Sequence, residues 1–504
     1  MREIRRSFAP ALPKALALAG TRAAQSVWAH TAVPERLRIL RKARRTMALS
    51  AEWLAASVPQ ELPGNLHRNA ADTLVGEVLP LIEGCRFLER EAETILQSRK
   101  APPDSRPFWL RGVSTEFRRD AFGIILIIGP GNYPLFLPGI QTLQALAAGN
   151  AVVWKPAPGG SGAANALRSI LVSAGLNPRL LLILSEDTPS VMEAIDAGVD
   201  KVFLTGSTQT GRSVLRALSS KLIPAVVELS GCDAVFVLED ADLVHVATAV
   251  SFGLRLNGSA TCMAPRRMFI QAETLERLLP VLIKQLASIA PVPVPLRTRE
   301  LLAECMADAV QLGASIACGG IEAAGVRPIV LLNVIPQMLV ARSDIFAPVL
   351  SLINVHTVDA ALNANEECPY ALTASVFGSR KRALRLAERI TAGSIFVNDL
   401  IVSSADPRAP FGGRRTSGFG VARGREGLLE MTAVKTVQIN KGIDLRRYQE
   451  TTREHEGLFA GYIRLVHGTG LRERARALVQ LVKAARRVAS IYNDSKHKSK
   501  QFKE

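Results

Sequence analysis

Two side chains in this 504-residue chain have the types and setting of a nucleophile and its base. Cys262 lies in Asn257-Gly-Ser-Ala-Thr-Cys262-Met-Ala-Pro265, after the helical run VATAVSFGLRLNG and before the strand-like RRMFI. It therefore sits on a connection, outside any apolar run, where a thiolate could reach an electrophilic carbon. Without a base nearby it reads as an inert free thiol. Glu228, ending the apolar strand AVVELSG, is the candidate base, because partial desolvation raises a carboxyl pKa toward neutrality. A structural cap or ion pair is its alternative role. A thiol protease would need a histidine partner, and none of the seven histidines lies in a recognisable motif.

A second set of residues could hold phosphates. Three strand-like segments end in Gly129-Pro130-Gly131-Asn132, Lys155-Pro156 and Thr205-Gly206-Ser207. Glycine lets a backbone approach a phosphate, and the helix start that follows offers free N–H donors. Any one alone reads as a tight turn; three in one sheet point to a nucleotide. The segment Gly206 to Ser213, with Gly211 as its second glycine, approaches the phosphate-loop pattern, and AVFVLED (234–240) resembles an acidic magnesium-holding strand. Arg212 stands where that loop needs a lysine, which argues against a phosphate-loop NTPase.

These residues need a rigid frame, and the pattern supplies one. FGIILIIG, AVVWKP, RLLLIL, KVFLTG and AVVELSG read as strands; LPGIQTLQALAAGN, SGAANALRSILVSAG, SVMEAIDAG and GRSVLRALSSK read as the helices between them. Continuous apolar strands alternating with helices predict a doubly wound parallel sheet covered on both faces. A less regular α/β region follows from about 232 to 425. Helices are expected from Pro34 and over Ala70–Leu96, and FWLRGVSTEFRRDAFG (108–123) reads as a hairpin about Gly112.

Composition narrows the class. Hydrophobic residues are 48% and charged residues 21%, with a mean hydropathy of +0.16, so a large core forms and wholesale disorder is excluded. No unbroken apolar stretch suggests a spanning helix, and Met1-Arg-Glu-Ile-Arg-Arg does not open a secretory signal. The six cysteines form no CxxC pair, so neither a zinc ribbon nor a disulfide framework is indicated, no metal is expected, and a reducing, cytoplasmic setting fits. The net charge of +17 sits in the ends: residues 1–50 carry 11 basic and 2 acidic residues, residues 441–504 carry 15 and 7, and the middle carries 36 of each. No specific nucleic-acid partner follows from a neutral body. LRERARALVQLVKAARRVASIY (471–492) forms a basic amphipathic helix, with Leu471, Leu478, Leu481, Val482 and Val488 among six basic residues. It suits an anionic membrane surface or packing on the body. SKHKSKQFKE (495–504) reads as a solvated, disordered tail.

In order along the chain stand GPGNYP (129–134), AVVWKPA (151–157), FLTGSTQTG (203–211), ELSG (228–231), ATCMAP (260–265), DIFAPVL (344–350), PYALTASVF (369–377) and PFGGRRTSGFG (410–420). With 34 residues between Glu228 and Cys262 and 23 between Asn132 and Lys155, the chain from about 34 to 438 resembles the aldehyde dehydrogenase superfamily. That resemblance implies an α/β fold with a doubly wound cofactor domain, an α/β catalytic domain and a small oligomerisation sheet. Its expected parts are an N-terminal helical part (1–101), a hairpin (102–121), the dinucleotide-binding domain (122–229), the catalytic domain (230–428), an oligomerisation strand (429–440) and a basic extension (441–504).

The resemblance also implies roles. Cys262 would attack an aldehyde as a thiolate, the Asn132 amide and the Cys262 N–H would hold the oxyanion, and Glu228 would activate the hydrolytic water. NAD or NADP would be held by Lys155 at the adenosine ribose and by Gly206, Ser207 and Gly211 near the pyrophosphate. Asp344 and Phe346 would position the nicotinamide half, with Pro130 and Leu229 also lining the cofactor. A homodimer or homotetramer is implied. Several positions depart from the pattern. Pro158 replaces the usual Glu beside the ribose, leaving NADP open beside NAD. Asp344 replaces a Glu, Ala347 a glycine, Ser230 a glycine, Ala260 a frequent Gln, and Gly131 a bulkier residue. Arg266 and Arg267 beside the nucleophile are expected to be solvated or paired at a strand start, with attraction of an acidic substrate as the alternative. Two other readings stay open: a CoA-acylating aldehyde dehydrogenase, and a degenerate body carrying a basic membrane- or nucleic-acid-binding module.

Overall fold

The computed structural model describes residues 14–501 apart from 60, 63–65, 111, 442–447 and 449. The Arg-rich start at 1–6 lies outside them. The chain divides into two compact units, residues 1–100 with 116–437, and residues 101–115 with 438–504.

In the larger unit, Ile124–Ile128, Ala151–Lys155, Leu181–Ile183, Lys201–Thr205 and Ala225–Glu228 form a parallel sheet. The first, second and fourth of these strands are buried along their whole length. Helices cover both faces, which is why the strands read as unbroken apolar runs and do not alternate. Trp154 and Phe203 are fully buried in this core. In space the order runs Ala225–Glu228, Lys201–Thr205, Ile124–Ile128, Ala151–Lys155, Leu181–Ile183, with Gly418–Phe419 added antiparallel at the Glu228 edge. The winding reverses between Ile124–Ile128 and Lys201–Thr205. Helices starting on opposite faces part there, opening a crevice beyond Ile128 and Thr205.

The expected helix over 70–96 is continuous, but its turn Leu74–Val78 is π-helical, a local widening that often marks a functional position. The second region of the unit forms a seven-stranded sheet. In space it runs Ser315–Glu322, Gly325–Leu332, Val349–Asn354, Pro265–Ile270, Asp233–Val237, Thr373–Phe377, Ser394–Val397, and only the first pair is antiparallel. Phe236 and Phe269 stack at 5.0 Å between ring centres in its core.

The hairpin expected about Gly112 does not form. Val113–Ala121 is one nine-residue strand, flanked in its sheet by Arg99–Lys100 and Thr432–Asn440, while Pro103–Ser105 and Phe108–Leu110 are single 3-10 turns. Pro102, Pro103 and Pro107 lack the N–H that a ladder requires, so the first arm cannot pair.

The smaller unit contains two antiparallel helices, Glu454–His467 and Leu471–Gln501. Gly461 lets them approach closely: a Cβ there would lie 3.0 Å from the Leu481 nitrogen. The tail expected to be disordered is therefore helical through Gln501, with 502–504 outside the described residues. Phe459, Ile463 and Val466 form an exposed apolar stripe on the first helix, and Leu471, Leu478 and Val482 form one on the second.

The added edge strand depends on one glycine. Gly418 has φ +109°, and a Cβ there would fall 1.9 Å from the Val227 carbonyl oxygen. Gly418→Ala is expected to destabilise the protein by about 1–3 kcal/mol or more, read as a lowered urea midpoint.

Candidate active site

A cleft of about 780 Å³ opens at the crevice where the sheet reverses, lined from the strand ends at Pro130–Asn132, Gly206–Ser207 and Glu228–Leu229 and from Cys262, Asp344 and Phe346. Glu228 is held by its neighbours in the sheet. It lies beside Thr205 on one side and Gly418 on the other, its carbonyl accepts from Gly206 N at 3.0 Å, and Leu229 N donates to the Ser417 carbonyl at 2.9 Å.

Cys262 arrives on a loop that follows a tight 3-10 turn. Asn257, Gly258 and Ser259 have φ of 52°, 59° and 62°, three left-handed residues in a row. Such a turn persists only when its surroundings hold it. Asn257 Nδ2 donates to the carbonyls of Asn132 (3.1 Å) and Ala260 (3.0 Å), fastening the nucleophile loop to the first strand end. On the other side, a Cβ on Gly231 would lie 2.4 Å from the Cys262 carbonyl oxygen, so only glycine fits.

The Cys262 thiol and the Glu228 carboxyl line the same cleft, and each shifts the acidity of the other. Burial pushes Glu228 up to about 7, against the lowering effect of the Cys262 thiol, of Arg423 and of Thr205. Burial and the carboxylates of Glu228, Asp233 and Asp344 push the Cys262 thiol well above its usual range. Both shifts favour the neutral forms of the two groups.

Asn132 stands across from them, its Nδ2 donating to the Ala260 carbonyl at 2.9 Å, which leaves its second amide hydrogen free. Asp344 is buried and pushed up to about 6 by desolvation, lowered in turn by a bond to Ser230 and by Arg266. Ser230, a glycine in the family pattern, thus supplies a partner for the shortened acid. Asp344 Oδ1 is buried with no partner, a polar atom aimed at a wanting ligand. Phe346 packs on Ala260 beside the nucleophile. Gly206 and Ser207 precede the helix Thr208–Ser219, where Ser207 Oγ accepts from Thr210 N at 3.2 Å. The orphan acceptor, the glycine turns and the helix start fit a dinucleotide laid across the crevice.

Two of the expected cofactor residues line no part of this cleft. Gly211 lies inside that helix, where a Cβ would be 2.7 Å from the Leu229 side chain; it lets the helix pack close to the strand end. Lys155 is buried, its pKa lowered by desolvation and raised by Asp187 and Glu186. Glu186 accepts from Gly159 N at 2.8 Å and Ser161 N at 2.9 Å, at the start of the helix Ser161–Ser173. A carboxylate from elsewhere therefore occupies the neighbourhood left without one by Pro158.

Of the two expected outcomes, solvated or paired at the strand start, Arg266 and Arg267 show the second, and neither lines the cleft. Both are buried. Arg266 bonds Ser259 Oγ (2.7 Å) and the carbonyls of Ser259 and Ala347, and Arg267 bonds the Cys232 carbonyl (2.9 Å) and Asn365 Oδ1 (3.0 Å). Arg266 braces the nucleophile loop and Arg267 ties their strand to Cys232 and Asn365; that strand is central in its sheet and buried along its length.

Sequence reasoning missed Arg68 and Glu77. Arg68 pairs with the fully buried Glu77, and its guanidinium also reaches the Asn132 carbonyl (2.7 Å) and Asn257 Oδ1 (2.8 Å). Glu77, on the π-helical turn, accepts from Leu135 N (2.7 Å) and Phe136 N (2.9 Å), at the start of the helix Phe136–Ala147. One ion pair thus ties the Asn132 and Cys262 loops together. The only sequence signal was a carboxylate inside an apolar helix. Arg68→Met would strand a buried carboxylate. It is expected to cost about 3–5 kcal/mol, read from denaturant unfolding, and to lower activity more than stability alone explains.

Residues 9–437 match the model of the aldehyde dehydrogenase family. The chain is 29% identical over 427 residues to the 4,4'-diapolycopene aldehyde oxidase of a Methylomonas species, covering 82% of this chain and 79% of that protein. Among solved structures it is similar to an NADP-dependent glyceraldehyde-3-phosphate dehydrogenase from Bacillus halodurans C-125 in complex with NADP. That likeness has a TM-score of 0.76 and 25% identity, over 84% of this chain and 90% of that one. It shares the fold of a Mycobacterium tuberculosis aldehyde dehydrogenase solved with NAD+, at a TM-score of 0.76 and 24% identity over 84% and 89% of the two chains. On its ordered motifs, its sheet topology and this match, the chain belongs to the aldehyde dehydrogenase family of NAD- or NADP-dependent oxidoreductases.

Proposed function

We propose that the protein oxidises an aldehyde to a carboxylic acid through a thiohemiacetal and then a thioester on Cys262. The observation that carries this reading is the meeting of Cys262, Glu228 and Asn132 in one cleft. Glu228 takes the thiol proton as the sulfur attacks the carbonyl carbon. The Asn132 amide and the Cys262 N–H hold the oxygen as it gains charge. The nicotinamide, when bound, supplies the hydride acceptor, and Asp344 and Phe346 orient that half. Glu228 gives that first proton up to solvent, then takes a proton from the water that attacks the thioester and returns it to the departing thiolate, which releases the acid and restores the thiol. Retention of this base favours water over CoA as the acyl acceptor.

The cofactor is NAD or NADP, and Glu186 favours NAD, because its fixed negative charge near Lys155 repels a 2′-phosphate. The apolar Leu301 and Phe346 in the cleft, and the diapolycopene aldehyde named for the Methylomonas relative, favour a lipophilic aldehyde. Assembly as a homodimer or homotetramer would use the edge strand Thr432–Asn440, which exposes Val434 and Ile439. All six cysteines are free, in keeping with a cytoplasmic setting. Among the described residues no helix is long and apolar enough to cross a membrane. The apolar stripes of the C-terminal helices, with their basic residues, suit peripheral contact with anionic lipid.

An aldehyde panel scored by NADH and NADPH formation tests the function. Cys262→Ala is expected to abolish turnover, and Asn132→Ala to lower kcat about 100–1,000-fold. Glu228→Gln, which removes the proton acceptor for both steps, is expected to abolish turnover without a burst of NADH or NADPH. Since the base form of Glu228 appears as pH rises, kcat should climb through about pH 7 in the parent protein. A strict CoA requirement for product release would overturn the hydrolytic reading. For the lipid contact, the full chain should float with vesicles containing phosphatidylglycerol and not with pure phosphatidylcholine, and Ile463→Ser should weaken that flotation.

A further inference from the structure

The two residues that supply the oxyanion donors each have a neighbour whose hydroxyl takes part in neither chemical step. Tyr133 follows Asn132, and Thr261 precedes Cys262. The Tyr133 and Thr261 hydroxyls hydrogen-bond at 3.1 Å across 128 positions of chain. The Asn132 amide reaches the Ala260 carbonyl across the same 128 positions, at 2.9 Å. The two loops therefore lie side by side in register, with one rung between 132 and 260 and the next between 133 and 261. Neither Tyr133 nor Thr261 lines the cleft, so any effect on the chemistry must pass through another residue.

Both ends of the second rung are held. Thr261 is 1% exposed, and among the described residues its hydroxyl bonds to Tyr133 alone. Its carbonyl accepts from Ala264 N at 3.0 Å, closing the turn that presents Cys262. The Tyr133 ring centre lies 4.9 Å from the Arg68 guanidinium, and a Cβ on Gly76, in the π-helical turn, would come 3.9 Å from the ring edge. Burial pushes the phenol above its usual range, so it keeps its proton near neutrality. We propose that Tyr133 and Thr261 are positioning residues whose hydroxyl pair sets the separation between the Asn132 amide and the Cys262 N–H, the two donors that must converge on one oxygen. The Cys262 N–H belongs to the planar peptide that the Thr261 carbonyl begins, so a rotation of Thr261 tilts that donor directly. The first rung ends at Ala260, one residue short of this peptide, and only the second reaches it. Donors serve an oxyanion at about 2.7–3.1 Å, which makes a slip of an ångström costly.

This rests on the reading of Cys262 as nucleophile, and the test separates the two. Cofactor-free full-length protein is mixed with p-nitrophenyl acetate. A thiol attacking that ester builds a tetrahedral oxyanion and then expels p-nitrophenolate, which is followed by its colour. The parent is compared with Tyr133→Phe, Thr261→Val, the double variant, Thr261→Ser and Cys262→Ala, and urea midpoints are measured alongside. Tyr133→Phe and Thr261→Val should each slow acylation at saturating ester by about 10–100-fold, with KM little changed. The double variant should be no slower than the slower single one, because all three lack the same bond. Thr261→Ser keeps the hydroxyl and should restore the rate. Should Tyr133→Phe fail to fold, Thr261→Val against Thr261→Ser makes the same comparison. A lowered urea midpoint with an unmoved acylation rate in the folded protein overturns the proposal, and so do losses that simply multiply in the double variant. If Cys262→Ala releases p-nitrophenolate as fast as the parent, it is the assignment of the nucleophile that fails, and the positioning role falls with it.

Discussion

A carboxyl on a strand end and a thiol on a separate loop face one cleft, and much of the surrounding structure holds them there. Desolvation pushes both groups toward their neutral forms, so neither is reactive by itself. On the proposed mechanism the proton moves uphill from thiol to carboxylate, and the Asn132 amide would meet the charge that results. Geometry therefore matters more here than the acidity of either group. A thiol this far from spontaneous ionisation is also protected from indiscriminate alkylation until a carbonyl is presented.

Two covalently distant loops must meet for that arrangement to exist. Glu228 is presented by a strand end clamped on both sides, which makes it the stationary partner. Cys262 is presented by a left-handed turn with no intrinsic preference for its shape. Its position is borrowed from Asn132, Gly231 and the Arg68–Glu77 pair, and Arg266 adds a brace from the strand that follows. Polar networks of this kind are valuable only when complete, since a single missing member leaves a buried charge unanswered.

What could be read from the chain divides along the same line. The parallel sheet and the residues on its strand ends were legible because each depends on a contiguous run: an apolar strand, a glycine turn, a helix. Arg68, Glu77 and Glu186 were invisible because their partners lie 9 to 64, and in one case 189, positions away, and nothing local distinguishes them from surface charges. For Arg266 and Arg267 the chain left solvated and paired forms open, and only the seven-stranded sheet, in which their strand is central, decides for the paired one. The hairpin about Gly112 failed because apolar–polar alternation was weighed without the prolines that remove its ladder donors.

The turn Glu228-Leu-Ser-Gly231 shows how unequal two adjacent positions can be. At 230 a hydroxyl has entered and found work with Asp344, so side chains of that size have room. At 231 the neighbouring carbonyl of the nucleophile leaves space for a hydrogen and nothing larger. A methyl group added there would act as a wedge, displacing the sulfur from its base by an ångström or so while leaving every reactive group chemically intact. Inactivity in such a variant would be a fault of spacing, and a shift of the opposing loop by the same amount would be its natural suppressor.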